Sequence, residues 1–111
     1  MATCSHFGIM RIIKESFLRQ MAKRHPSAAA NLERWIKITR AATWGNLVQL
    51  RATFPHADSV TVESGRTIMV FNICKNDYRL IAAVHFKTQL VYTLRFFTHA
   101  EYDKNKWKEE L

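Results

Sequence analysis

A chain of 111 residues suffices for one compact domain with a single core and is too short for two. Hydrophobic residues make up 48%, as in ordinary globular proteins, and no apolar stretch is long enough to cross a bilayer, which sets a membrane-spanning class aside. The formal net charge of +8 draws polyanions to the surface and so favours RNA or DNA as a partner, although a merely soluble basic surface has the same totals.

The positive charge is concentrated. Between Arg11 and Arg51, nine Lys and Arg stand against two acids; between Ala52 and Ala100, five against three; from Glu101 to Leu111, three against four. Residues 1–9 hold no Lys, Arg, Asp or Glu and no clean periodicity, so they read as an extension ahead of a single domain, 10–111. They also lack the basic segment and apolar run of an export signal. Cys4 and Cys74 then read as reduced thiols and the protein as cytoplasmic.

In chain order, Met10-Arg11-Ile12-Ile13 is a short strand. Residues 14–24 form a helix, with Phe17, Leu18 and Met21 at helical spacing. His25-Pro26 interrupts it, because the residue before proline disfavours helical backbone, and Pro26 then suits the first turn of a second helix. That helix runs to about Thr39 or Ala42, with Ala29, Leu32, Trp35, Ile36 and Thr39 as its apolar stripe and Arg34, Lys37 and Arg40 on its wet side. The short link folds the two helices into an antiparallel hairpin. Its basic residues are a solvated face, or in a sharper reading a contact for a ribosome or an acidic partner. Asn46 caps a short helix over 47–54, with Leu47, Leu50 and Phe54 inward, and Pro55 ends it. Strands follow at 59–63, 67–73, 77–86 and 90–97, with Ser64-Gly65-Arg66 as a hairpin turn and 98–108 as a C-terminal turn or frayed helix. This order describes an α+β domain: an N-terminal helical hairpin packed on one face of a mainly antiparallel sheet.

The segment from Phe71 to Phe86 organises the sheet. Leu80, Ala82, Val84 and Phe86 alternate with Arg79, Ile81, Ala83 and His85, so the first set forms a wholly apolar face that the hairpin must cover. A three-residue loop after Phe86 would align that set with Leu90, Tyr92, Leu94 and Phe96, leaving Arg79, His85, Lys87, Thr93 and Arg95 on the other face. A two-residue loop would put Arg95 on the apolar side, where an unpaired charge is costly. The segregated register is therefore expected.

Some chemistries are excluded by what the chain lacks. The five histidines and two cysteines show no close ligand spacing, Gly8, Gly45 and Gly65 are isolated, and no nucleophile elbow is present. No metal or cofactor is implied. Antiparallel pairing does bring Asn72, Arg79, Arg95, His99 and Tyr102 toward one end of the sheet. Cleaving RNA without a metal takes a group to accept the 2′-hydroxyl proton, a group to protonate the departing 5′-oxygen and cations to stabilise the phosphorane. Histidine suits either proton transfer, and arginine grips phosphate in a bidentate fork. Plainer roles exist for each residue. His85 reads as a sheet or core histidine, His6, His25 and His56 as incidental turn residues, and Trp35, Trp44 and Tyr92 as core. His99 could cap the C-terminal turn, and Tyr102 could pack on the sheet edge.

The block Phe71-Asn72-Ile73, Asn76 and Tyr78-Arg79-Leu80-Ile81, followed by Thr98-His99-Ala100-Glu101-Tyr102-Asp103-Lys104, resembles the HigB family of toxins in the RelE-like superfamily, over about residues 10–108. The resemblance implies a RelE-like fold, a metal-independent endoribonuclease that cuts mRNA on the ribosome, and a HigA-type antitoxin that neutralises it. It assigns Arg79 to phosphate clamping, His99 to proton transfer and Tyr102 to the same catalytic set, with Asn72 and Lys104 contacting RNA; Arg95 either joins these RNA contacts from a shifted register or leaves that contact unmade. One departure is that relatives often carry the last-strand arginine one position earlier, where Leu94 stands. The alternatives are a ParE-like toxin that binds DNA gyrase without cutting RNA, and a basic RNA-binding module.

Overall fold

The computed structural model of the chain describes residues 10–75 and 77–111; the expected extension, 1–9, and Asn76 lie outside the described residues. Strand β1 (Arg11–Ile13) leads into helix α1 (Glu15–Arg24), a 3-10 turn (Pro26–Ala28), α2 (Ala29–Arg40) and α3 (Leu47–Thr53). Then come β2 (Asp58–Thr61), β3 (Thr67–Ile73), β4 (Tyr78–His85), β5 (Leu90–Thr98), α4 (His99–Asp103) and α5 (Trp107–Glu110). The strands make one sheet in the order β1-β5-β4-β3-β2. Among the described residues β1 alone runs parallel to its neighbour, β5; the remaining pairs are antiparallel, so the sheet is mainly antiparallel as expected.

The local signals act as read. His25 leaves helical backbone at φ −127° and ψ 75°, and Pro26 starts the next turn. The Asn46 side-chain oxygen accepts from the Gln49 backbone N–H at 2.9 Å and caps α3. Gly65 turns the β2–β3 hairpin at φ +93°, a left-handed value that a side chain would strain. Leu18, Met21, Leu32, Trp35 and Ile36 bury their stripes against Met69, Phe71, Ile73, Leu80, Ala82, Val91 and Phe96. Each buried Leu, Ile, Val, Met or Phe among them contributes roughly 1.5–3 kcal/mol when it leaves water.

The β4–β5 register corrects the sequence reading. Near the open end it is the segregated one, with Leu80 opposite Phe96 and Ile81 opposite Arg95. A bulge then intervenes, and Ala82 faces Thr93, Val84 faces Val91 and His85 faces Leu90. One extra residue in β5 flips every position before it. Val91 and Thr93 therefore point at the helices, whereas Tyr92 and Leu94 lie with the cluster on the other face. Thr93 was expected among the exposed polar residues. It is 3% exposed instead, and its hydroxyl donates toward the carbonyls of Ile13 and Lys14, where β1 hands over to α1. Burial of this hydroxyl is tolerated because those partners satisfy it.

The second face is not bare. Ile68, Val70, Ile81 and Ala83 form a smaller core with Trp107, which is 2% exposed. The segment expected as a C-terminal turn or frayed helix thus forms α4 and α5 and lays one large ring across the sheet. His85, expected in the sheet or core, stands in the sheet at the end of β4, with its side chain exposed and meeting the Tyr92 ring edge-on at 5.2 Å.

Candidate functional site

Because alternate residues of a strand share a face, Asn72 follows Ile68 and Val70 onto the face away from the hairpin, and Arg79 precedes Ile81 and Ala83 there. Asn72 and Arg79 are direct cross-strand partners, and Arg79 also stands opposite Phe97. Two lateral neighbours thus hold the arginine in the sheet.

α4 supplies the aromatic and the imidazole. Thr98 and Glu101 form a reciprocal capping box: the Thr98 hydroxyl accepts from Glu101 N–H, and the Glu101 carboxylate accepts from Thr98 N–H. The His99 N–H donates to the Asp77 carbonyl at 2.9 Å, tying the start of α4 to the turn before β4. One turn along α4, the Tyr102 ring comes under the Arg79 guanidinium, 5.4 Å from its carbon, within cation–π range. Tyr102 in turn stacks on Trp107 at 5.3 Å and 23°, and the Trp107 indole donates to the Tyr102 carbonyl at 3.1 Å. Arg79, Tyr102 and Trp107 form a continuous pile rooted in the second core.

Partial burial pushes the Tyr102 phenol above its ordinary range, with Asp58 and Asp103 adding to the rise and Arg79 opposing it. At neutral pH the hydroxyl keeps its proton and can only donate or accept a hydrogen bond, so it is no base. His99 is exposed, and its Nε2 lies 3.2 Å from an Asp103 carboxylate oxygen. When Nε2 carries the proton shared with Asp103, Nδ1 remains as the acceptor.

Of the six residues expected in the site, Asn72, Arg79 and Tyr102 come together, Asn72 exposed and the other two half-buried. His99 heads the helix that carries Tyr102, and its side chain meets Asp103. Arg95 faces the same side but lies opposite Ile81, and its guanidinium is 3.6 Å from Glu110 of α5. The bulge sets Leu94 and Arg95 toward one face, so an arginine one place late still points that way. Lys104 is exposed at the end of α4. Two contributors escaped the sequence reading: Asp103, visible only as the i+4 neighbour of His99 on a helix, and Trp107, whose burial nothing in its charged surroundings signals. Among the described residues no group of three His, Cys, Asp or Glu could hold a metal ion, and no helix is long and apolar enough to cross a membrane.

A basic α+β domain whose polar side chains gather on the sheet face opposite its helical hairpin has the layout of a RelE-like toxin. The chain belongs to the HigB toxin family, described as the RelE-like toxic component of a toxin-antitoxin system, whose model matches residues 28–105 and so takes in the whole patch. Curated relatives agree at modest identity. An mRNA interferase HigB of Escherichia coli O6:H1 is 24% identical over 95 residues, covering 86% of this chain and 90% of that protein. The mRNA interferase toxin HigB of Escherichia coli K12 is 28% identical over 94 residues, covering 85% and 88%. The mRNA interferase HigB of Shigella flexneri matches equally well. As the toxic component of such a pair, the chain has an antitoxin for a partner.

Proposed function

We propose that this chain is an mRNA interferase, a toxin that cuts mRNA and halts translation, working in the cytoplasm on ribosome-bound message and restrained by a HigA-type antitoxin. Support comes above all from one arrangement: Arg79 cross-strand from Asn72 and stacked over Tyr102, beside the helix headed by His99. The relatives' names as mRNA interferases point the same way.

The chemistry requires no group beyond these. His99 accepts the proton of the 2′-hydroxyl, the freed oxygen attacks the adjacent phosphorus, and the bond to the 5′-oxygen breaks. The departing oxygen takes a proton from the imidazolium so formed or from water. Arg79 grips the non-bridging oxygens, whose charge grows as the phosphorane forms. Tyr102 holds the guanidinium from below and offers a hydroxyl donor. Asn72 and Lys104 contact the RNA, the first through its amide and the second through phosphate; Arg95 does so once released from Glu110. The products are a 2′,3′-cyclic phosphate and a 5′-hydroxyl.

The test is end-group analysis of a defined mRNA incubated with the purified chain, with and without ribosomes. New 5′ ends that polynucleotide kinase labels without prior phosphatase are expected. Ends that need phosphatase first would contradict the mechanism. Absence of any cut would move the reading to a toxin that acts by binding.

A further inference from the structure

β2 pairs with β3 only between Thr67 and Val70, where Asp58 is the last partner, yet β3 runs on to Ile73. Past Val70 the outer edge of β3 has no neighbouring strand among the described residues. An open strand edge presents backbone donors and acceptors that another chain can pair. Beside this edge, between α2 and the turn after α3, lies a cavity of about 460 Å³. Its walls include Trp35, Ile38, Phe54, Phe71 and Ile73, and its polar lining includes Arg34, His56 and Lys75 but no Asp or Glu among the described residues.

Two details bear on what fills it. Trp35 is 2% exposed and its indole N–H is buried, so on this side the hole offers an incoming chain an apolar wall and no accessible donor. Trp35, Phe54 and Phe71 already pack on one another, with Phe71 edge-on to both other rings at 5.3 Å. Rings engaged in this way leave little face for a nucleobase, whereas an aliphatic or aromatic knob fits an apolar hole.

We propose that this groove is where the antitoxin docks: an extended, acidic segment adds as a strand beside residues 71–73 and sinks one large apolar side chain toward Trp35 and Ile38. The inference rests on the chain being the toxin of such a pair. It also carries a mode of inhibition. Asn72 lies on the open edge and is the cross-strand partner of Arg79. A strand paired there places a side chain opposite Asn72, about 4.5–5.5 Å away, and crowds the patch. Edge pairing supplies affinity, and the pocket and the cations choose an apolar, acidic sequence.

The experiment uses the full-length cognate antitoxin as the probe. Its affinity is measured by calorimetry for the wild-type toxin, for Lys75→Glu and for Ile38→Trp, with thermal melts to check folding. Hydrogen exchange of the wild-type complex is followed, and mRNA cleavage is measured without antitoxin. Both substitutions should weaken binding by about tenfold or more and leave free-toxin cleavage intact. Amides within residues 71–73 should gain protection in the complex. Unchanged affinity in both variants, or no added protection at that edge, would overturn the proposal. So would loss of cleavage with antitoxin binding intact, which would make the groove an RNA subsite. A wild-type chain that binds antitoxin at this edge but cuts no mRNA would remove the nuclease reading alone.

Discussion

At the residue scale, the proposed activity rests on how Arg79 is held. Its partner Asn72, the strand position opposite Phe97 and the Tyr102 ring beneath it confine the guanidinium to one side of the sheet. Arg79→Ala should lower the cleavage rate by about 10²–10³-fold in single-turnover assays, the scale of losing a preorganised charge at a developing oxyanion. Arg79→Lys should recover only part of this, because an ammonium cannot form the planar two-point grip. The shift of Tyr102 has a second consequence. A phenol whose folded value is raised stabilises the fold fully below its ordinary titration near pH 10, and that contribution disappears as pH rises through the folded value. Thermal melts at rising alkaline pH should therefore fall less steeply for Tyr102→Phe than for the wild type. Spectroscopic titration of the phenol should place Tyr102 above a free tyrosine; a normal titration would remove the argument for a half-buried hydroxyl that keeps its proton.

At the element scale, sequence and structure agree where the cause is local. The His25-Pro26 break, the Asn46 cap and the helical stripes Leu32, Trp35, Ile36 and Thr39 need only near neighbours, and each stands where the pattern places it. Strand alternation likewise puts Asn72 and Arg79 on one face. What was illegible depends on distant chain. The bulge that turns Thr93 inward is favoured by carbonyls of Ile13 and Lys14, some eighty residues earlier in the chain. Trp107 sits among Lys106, Lys108, Glu109 and Glu110, and only the sheet beneath it reveals it as core. α5 is four residues long and has no helical stability of its own, so the indole is its anchor. Trp107→Ala should cost about 3–5 kcal/mol in chemical denaturation, as large ring deletions do. It should also reduce cleavage by loosening Tyr102, and Trp107→Phe should restore much of both. Loss of stability with full cleavage would show that the pile does not position the site.

At the scale of the whole molecule, positive charge and chemistry occupy different sides. Helices α1, α2 and α3 carry seven of the nine basic residues between Arg11 and Arg51, whereas Asn72, Arg79 and Tyr102 lie on the sheet face away from the hairpin. Part of the helical charge is internally compensated, since Arg19 lies 2.8 Å from Glu15 and 3.2 Å from Glu33. Under the proposed function the net charge of +8 acts on RNA at long range and makes its binding depend strongly on salt. Affinity for a short message fragment should fall steeply between about 50 and 200 mM salt, with a log–log slope reporting the phosphates neutralised. A flat dependence would detach the basic surface from RNA binding. The family as a whole was legible because its motif is short and local, in Asn72, Arg79 and the run from Thr98 to Lys104.

The most direct experiment is 5′-end mapping of a defined mRNA in a translation extract, with wild type and His99→Ala compared at equal folded concentration. Wild type should cut at codon-phased positions that require ribosomes. His99→Ala should lose about 10²–10⁴-fold of that rate, the range for removing a general acid or base. Cuts that persist at wild-type rate in His99→Ala would move the proton chemistry off α4 and contradict a mechanism in which this imidazole takes the 2′-hydroxyl proton.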